Sequence, residues 1–355
     1  MNIKGSYKND CIFLLKDLTG ILKEISIEEK EKFIEEGVNY SNFISKEERP
    51  SEEIENLFLK IVDEKASEIA EYVSILAEKI YSKKSNTLIL VSLARAGTPY
   101  GILIRRYLKF KYDIDIKHYS VSIIRGKGID FNALKYILDK NEDAQIQFID
   151  GWTGKGSIIS ELNKSINEFN DKYRQNLDSS LAVIADPAKL CEVYGTREDI
   201  CVPNSILNST VSGLISRTIL NENYIGEKDF HGAINIDYLK DQDYSEYYIN
   251  EIEKHFKKDV KVEKGEKVDV EYSKNISEEI KREYKVKDIN KVKLSIGEAC
   301  RVLLRRKARV LLLKDKNDRE VEQLITLAKE KNILIEIYKK GDYKAIAIIA
   351  EKEKN

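Results

Sequence analysis

The sequence predicts an α/β protein of two domains: a parallel sheet with a helical N-terminal extension, and a smaller C-terminal α/β/α sandwich. Three observations carry this reading. Short apolar runs alternate with amphipathic helical patterns between residues 87 and 185, and such alternation implies a parallel sheet covered by helices. Two of these runs end in loops of small residues, Ser92-Leu93-Ala94-Arg95-Ala96-Gly97-Thr98-Pro99 and Asp150-Gly151-Trp152-Thr153-Gly154-Lys155-Gly156-Ser157. A Lys- and Glu-rich stretch, Glu251 to Lys285, then separates this region from a second compact one beginning near Leu294.

Residues 1–85 read as mostly helical, since Ile54, Leu57, Phe58, Ile61, Ala66, Ile69, Val73, Leu76 and Ile80 recur at helical spacing. They are expected to cover one face of the sheet. The α/β pattern follows as strand 87–92, helix 99–109, strand 115–124, helix 131–139, strand 145–149, helix 157–170 and strand 181–185. Residues 188–245 are less regular and hold a Ser/Thr/Asn-rich segment, Asn204 to Thr218. The tail reads as helix 297–306, strand 310–313, helix 321–329, strand 333–337 and strand 345–350. The expected division is therefore an extension over 1–85, a sheet domain over 86–250, a charged linker over 251–285 and a tail domain over 286–355.

Composition narrows the classes of function. At 355 residues, with 42% hydrophobic content, the chain has material for two or three cores. No apolar run approaches the roughly 20 residues of a membrane span, and the start of the chain lacks the apolar stretch of a secretory signal. Four cysteines without a CxxC pair argue against a disulfide framework or zinc ribbon. A cytoplasmic protein with reduced thiols and no membrane partner is expected. From Val286 onward there are 18 Lys and Arg against 11 acids. The tail is thus basic and the body acidic, a layout that suits a nucleic-acid appendage as well as a plain lysine-rich surface.

The second small-residue loop carries the sharper chemistry. A strand ends in a carboxylate, a glycine loop follows, and a helix begins at once. Backbone N–H groups in such a loop close around a phosphate, and the helix N-terminus adds partial positive charge. The loop is not a Walker A motif, because Lys155 is followed by Gly156 rather than Ser or Thr. The first loop offers Arg95, suited to bidentate oxyanion binding. An ordinary strand-to-helix turn is the plain alternative for either loop.

These two loops resemble those of the type I phosphoribosyltransferases. Read without gaps, Asp150 matches the second acid of their phosphoribosyl-pyrophosphate (PRPP) loop, with Ile149 in place of the first and Lys155 in place of one glycine. Arg95-Ala96-Gly97 resembles the Arg-Ala-Gly of the uracil-type enzymes. The resemblance implies a type I phosphoribosyltransferase-like sheet and an enzyme that uses PRPP or a related sugar phosphate with Mg²⁺. In that picture Gly151, Thr153, Gly154, Lys155, Gly156 and Ser157 cradle the 5-phosphate, and Asp150 orients the ribose. Arg95, with Ser92, Ala94, Ala96, Gly97 and Thr98, holds pyrophosphate. Asp186, ending a strand, is a second candidate acid or a turn residue. Arg125 and Lys127 form a basic tip that reads as a lid or a plain turn, and Arg217 and His231 belong to a hood over the acceptor.

A wider resemblance spans nearly the whole chain. Gly5-Ser6-Tyr7, Asn39-Tyr40-Ser41, Glu48-Arg49-Pro50-Ser51, Asp150 to Gly156, Leu207 to Thr218 and Asp229-Phe230-His231-Gly232-Ala233 look like a bacterial family found with tellurite-resistance (Ter) stress gene clusters. That family is described as a phosphoribosyltransferase-like domain followed by a Pelota-type RNA-binding domain, and also as "cysteine protease StiP". The tail resembles the L7Ae and Pelota fold, with Ser295-Ile296-Gly297-Glu298-Ala299-Cys300-Arg301 at its RNA loop and Gly297 where Asn is usual. This implies RNA contacts by Glu298, Arg301, Arg305 and Arg306, the alternative being a docking or dimerising domain that pairs with a second copy of the chain. Between the two descriptions the residues favour a transferase acting on a nucleobase-like or RNA-related acceptor. A non-catalytic nucleotide sensor remains open, as does a cysteine protease using Cys191 or Cys201 with His231.

Overall fold

The computed structural model describes residues 2–351 apart from 8, 27, 28, 30, 31, 34, 35, 85 and 86. The apolar runs form strands buried on both faces, as parallel pairing requires. They are β1 (Ile12–Phe13), β2 (Leu88–Ala94), β3 (His118–Ile124), β4 (Gln145–Trp152), β5 (Leu181–Ala185) and β6 (Val193–Thr196), all paired in parallel in the order β1-β3-β2-β4-β5-β6. A two-residue strand, Gly128–Ile129, folds back antiparallel on β3.

Side chains alternate between the faces of the sheet, so Leu88 and Leu90 join one core while Ile89, Val91 and Leu93 join another. Helix α1 (Glu52–Lys83), helix α2 (Thr98–Tyr112) and the later α5 (Ser245–Glu253) cover the first face. Helices α3 (Phe131–Lys140) and α4 (Ser157–Tyr173) cover the second. From β2 the chain crosses by α2 to β3 on one side, then by α3 to β4 on the other. The winding therefore reverses between β2 and β4, and the crevice beyond their carboxyl ends is where open α/β sheets bind ligands.

The reading of residues 1–85 as mostly helical needs correction. Helix α1 begins only at Glu52, behind Ser51, whose hydroxyl accepts from the Ile54 N–H at 3.4 Å. The residues before it supply β1 and two short parallel pairings, Lys16–Asp17 with Gly232–Ala233 and Glu24–Ile25 with Ile44–Ser45. Strand 115–124 starts at His118, and helix 157–170 runs on to Tyr173.

The charged stretch contains helix α6 (Tyr272–Glu283), whose Ile280 is buried in the core of the tail. Beyond it, β7 (Val292–Leu294), α7 (Ile296–Arg305), β8 (Ala308–Leu313), α8 (Glu322–Glu330), β9 (Leu334–Ile337) and β10 (Ala345–Ile349) follow in order. The sheet order is β7-β10-β8-β9, with only β8 and β9 parallel. This is a mixed α/β body with a mostly parallel sheet, followed by a smaller α/β tail with a mixed sheet.

Body and tail share one continuous core, in which Ile200 and Val202 join Ile296 and Leu303. Asp199 in the body fastens the tail, its carboxylate accepting from the Ile296 N–H and the Lys344 N–H, both at 2.9 Å. Burial, opposed by these backbone bonds, pushes its pKa up to about 7. Its folded value lies above its unfolded one, so the folded state holds the extra proton between about pH 4 and 7. Stability should fall as pH rises through that window and level off above it. Chemical denaturation at pH 5 and pH 7.5 reads this, and Asp199→Ala should flatten the difference.

Candidate functional site

The crevice at the reversal point is walled by both domains. A cavity of about 240 Å³ is lined by Asp150, Trp152 and the Thr153–Ser157 loop on the body, and by Lys293, Glu298 and Arg301 on the tail. Ala96 and Arg125 complete its rim.

Strand β4 delivers Asp150 to this cavity, its carboxylate accepting from the Gly151 N–H at 2.8 Å. Burial raises the Asp150 pKa to about 6, against the pull of that bond and of Arg301. Gly97 is the reason the two loops meet. A Cβ there would lie 2.2 Å from the Ile149 carbonyl oxygen and 3.0 Å from the Asp150 Cα, so only glycine lets the β2 turn lie against the end of β4.

Gly156 takes φ +85° and stands at the N-terminus of α4 without any side-chain cap. The first N–H groups of the helix are thus left for a ligand. Lys155 lines the same cavity and donates to the Ile289 carbonyl at 2.5 Å. Burial, together with Lys293 and Arg125, lowers its pKa to about 8. Ser157 is exposed at the loop's end.

Other expected contacts turn away from the cavity. The Thr153 hydroxyl points inward and donates to Asp186 at 2.6 Å. Asp186 is fully buried, also accepting from the Cys191 N–H at 2.7 Å and paired with Arg197. It braces the phosphate-type loop from behind and is not among the residues that line the cavity. Ser92 is buried too, its hydroxyl 2.7 Å from His118 Nε2 and 3.1 Å from the Gly97 carbonyl, and Thr98 meets the Ser120 hydroxyl at 2.8 Å. Ser92 and Thr98 shape the β2 turn. Ala94 ends β2, and Gly151 packs on Tyr100, 3.0 Å from where its Cβ would be.

Arg95 is not a free anion hook. It pairs with Glu47 at 2.5 Å and donates to the Ile215 carbonyl at 2.9 Å. Burial pushes Glu47 up, but Arg95, Arg305 and the Ser209 hydroxyl outweigh it and hold Glu47 below the usual carboxylate range. Arg217 donates to the Tyr40 and Phe43 carbonyls. His231 is buried against the Ser122 hydroxyl at 2.9 Å, with its own N–H on Asp130 at 2.6 Å, and lies outside the cavity lining. Arg125 and Lys127 stand on a four-residue turn pinned by the Tyr40 hydroxyl on the Arg125 N–H at 2.9 Å and by Glu161 on the Gly126 N–H at 2.6 Å. Only Arg125 reaches the cavity, and Lys127 is exposed beside it.

The expected RNA loop of the tail is also differently engaged. Glu298 and Arg301 wall the cavity, 3.3 Å apart, and the Arg301 guanidinium stacks over the Trp152 ring at 4.4 Å. A Cβ on Gly297 would sit 2.7 Å from the Trp152 indole, so the Gly that replaces the usual Asn is the residue that admits Trp152. Arg305 leans toward the Leu207 carbonyl at 3.4 Å, while Arg306 is exposed. Glu47 lies outside the motifs quoted above, and Trp152 lies inside one, Asp150 to Gly156, without any sign there of its role. Each matters through a partner more than 40 residues away.

Among the described residues no group of three His, Cys, Asp or Glu side chains could hold a metal ion. Asp150 and Glu298 alone do not make a Mg²⁺ cage. All four cysteines are free and buried. Burial pushes the thiols of Cys11, Cys191 and Cys201 well up and that of Cys300 to about 11. Among the described residues no thiol hydrogen-bonds a histidine, so the expected pairing of Cys191 or Cys201 with His231 is not formed. Among the described residues no helix is long and apolar enough to cross a membrane.

A family model described as "Tellurite-like stress resistance cysteine protease StiP" matches residues 5–253, and one described as "PELOTA RNA binding domain" matches residues 271–351. The cysteine protease StiP of Acinetobacter baylyi is 32% identical over 364 residues, covering 97% of this chain and 94% of the relative. The expectation of a phosphoribosyltransferase is overturned by these findings, since family and relative are both named as a cysteine protease, a hydrolase. The chain belongs to the StiP family of tellurite-like stress resistance proteins, with a Pelota RNA-binding domain at its C-terminal end.

Proposed function

We propose that the cleft between the two domains is the working site of this StiP-family protein, and that it binds a phosphate ester of the nucleotide or sugar-phosphate class. The uncapped N-terminus of α4 carries the reading, because Gly156, Lys155 and the tail's Arg301 direct N–H groups and positive charge into one cavity. Asp150 at the cavity wall is the acceptor for ligand hydroxyls. Mg²⁺ would enter on the ligand's own phosphates, with Asp150 as the neighbouring carboxylate. Binding, with the two domains closing on the ligand, is the role this geometry supports; it does not require transfer chemistry. RNA is the natural partner of a Pelota domain, and the exposed Arg306, Lys307 and Arg309 are the cations left for it.

Calorimetric titration with ribose 5-phosphate tests the reading. Asp150→Asn should weaken binding by about tenfold, the worth of one charge-assisted hydrogen bond, and leave the melting temperature nearly unchanged. Equal affinity in both proteins removes Asp150 from the site. Affinity should also peak between pH 6 and 8. The Asp150 carboxylate is lost as pH falls through about 6, and the Lys155 charge is lost as pH rises through about 8.

A thiol hydrolase is the second reading, favoured by the name of the relative. Cys191 is its best candidate, because its backbone N–H shares Asp186 with Thr153 directly behind the phosphate-type loop. Its thiol is buried and held protonated, so attack on a peptide needs the loop to open. Peptidase assays on Cys191→Ser and Cys201→Ser decide between the readings. Activity in the parent that vanishes in one variant, while ribose 5-phosphate affinity is unchanged, makes the thiol the catalytic group.

A further inference from the structure

The cavity between the domains has two ends. At one, Asp150 and Trp152 face Glu298 and Arg301 of α7, with the Arg301 guanidinium over the indole. At the other, the body meets the turn Ile289–Lys291 that leads into β7. There Lys155 Nζ donates to the Ile289 carbonyl at 2.5 Å, and the Arg125 guanidinium donates to the Asn290 side-chain oxygen at 3.4 Å. Lys293, on β7 just beyond that turn, lines the same cavity. Three cations from three separate elements are thus gathered at the second end.

The cavity's carboxylates do not balance them. Those lining it are Asp150 and Glu298, and Glu298 is already paired with Arg301 at 3.3 Å. Among the described residues Arg125, Lys155 and Lys293 form no ion pair. Asp288, at the start of the turn, accepts instead from the Asn290 backbone and side-chain N–H groups at 2.9 Å and 3.0 Å. Glu161 accepts from the Gly126 N–H. Lys155 and Arg125 each keep N–H donors beyond the single bond they make here. Burial lowers the Lys293 pKa against the pull of Glu298, and Lys155 is lowered by burial together with Lys293 and Arg125. Cations held partly out of water without counter-ions favour an anion that arrives from outside.

We infer that Arg125, Lys155 and Lys293 seat a second phosphate, joined directly to the one on the Gly154–Ser157 N–H groups, so that the ligand of the cleft is a diphosphate ester of a sugar or nucleoside. This rests on the phosphate-ester reading above and narrows it. The two seats adjoin because Lys155 belongs to the phosphate-type loop and also reaches the turn before β7. The sugar then lies toward Asp150 and α7, and the terminal phosphate toward β7. Lys293 comes from the tail, so this second seat is incomplete without it.

The test uses the full chain and two probes, ribose 5-phosphate and ribose 5-diphosphate, and reads the ratio of their affinities. The parent should bind the diphosphate more tightly by at least about tenfold. Lys293→Gln should bring the ratio close to one. Arg125→Gln, on an exposed turn where the fold is not at stake, should lower the ratio as well. A parent that binds both probes equally overturns the second seat and leaves the phosphate-ester reading standing. A parent that binds neither overturns both. If Lys293→Gln and Arg125→Gln weaken RNA binding but keep the parent's ratio, these cations serve RNA and the inference is overturned as well.

Discussion

Gly97→Val should abolish ribose 5-phosphate binding and destabilise the protein by about 3 kcal/mol or more, the upper range for overpacking a close contact. The reason is positional. The added Cβ would fall 2.2 Å from the Ile149 carbonyl oxygen, a backbone atom of the central strand that cannot swing aside. Relief requires the Arg95–Thr98 turn to lift away from β4. That separates Ala96 from Asp150 and breaks the Ser92 bond to the Gly97 carbonyl at 3.1 Å. Thermal unfolding with calorimetry on the same sample measures both effects. Retained affinity would mean that the two loops do not act on one ligand.

Gly297→Leu should have the second largest effect. Its side chain would enter space held by the Trp152 indole, 2.7 Å from the Cβ position, and push α7 from the body. Docking then keeps its Asp199–Lys344 and Lys65–Glu320 contacts but loses the Arg301 stack over Trp152. The expected cost is about 1–3 kcal/mol, with ribose 5-phosphate affinity falling at least tenfold. RNA affinity, read by anisotropy at two salt concentrations, should rise, because Arg301 becomes free to face outward and phosphate contacts dominate such binding. Unchanged RNA and ligand affinities would mean that the tail's loop is not part of the cleft.

Local chemistry was what the chain disclosed most readily. The strand-to-loop junction at Asp150 and the glycine at 156 were legible because φ +85° at a helix start needs glycine, and apolar runs announce buried strands. Helix α1 was legible from its periodicity, whereas the residues before it were not, since two-residue strands such as Ile12–Phe13 leave no period to read. The burial of Asp186 could not be foreseen. A carboxylate at a strand end looks like a ligand until Arg197 and the Cys191 N–H are found on it. The orientation of the tail's loop was hidden for a related reason. Its cations matched an RNA-binding pattern, but the direction they face is set by docking through Asp199 and Trp152, contacts that span far more chain than any motif. The enzyme class inferred from the two loops failed at the family level, where the name is that of a cysteine protease.

One phosphorylated ligand should be held by both domains at once. A crystal structure of the full chain soaked with ribose 5-phosphate tests it most directly. The phosphate is expected within about 3 Å of backbone N–H groups between Gly154 and Ser157, the ribose hydroxyls on Asp150, and Arg301 of the tail touching the same molecule. Ligand bound elsewhere, or no ligand at all with the cleft open in the lattice, would contradict it.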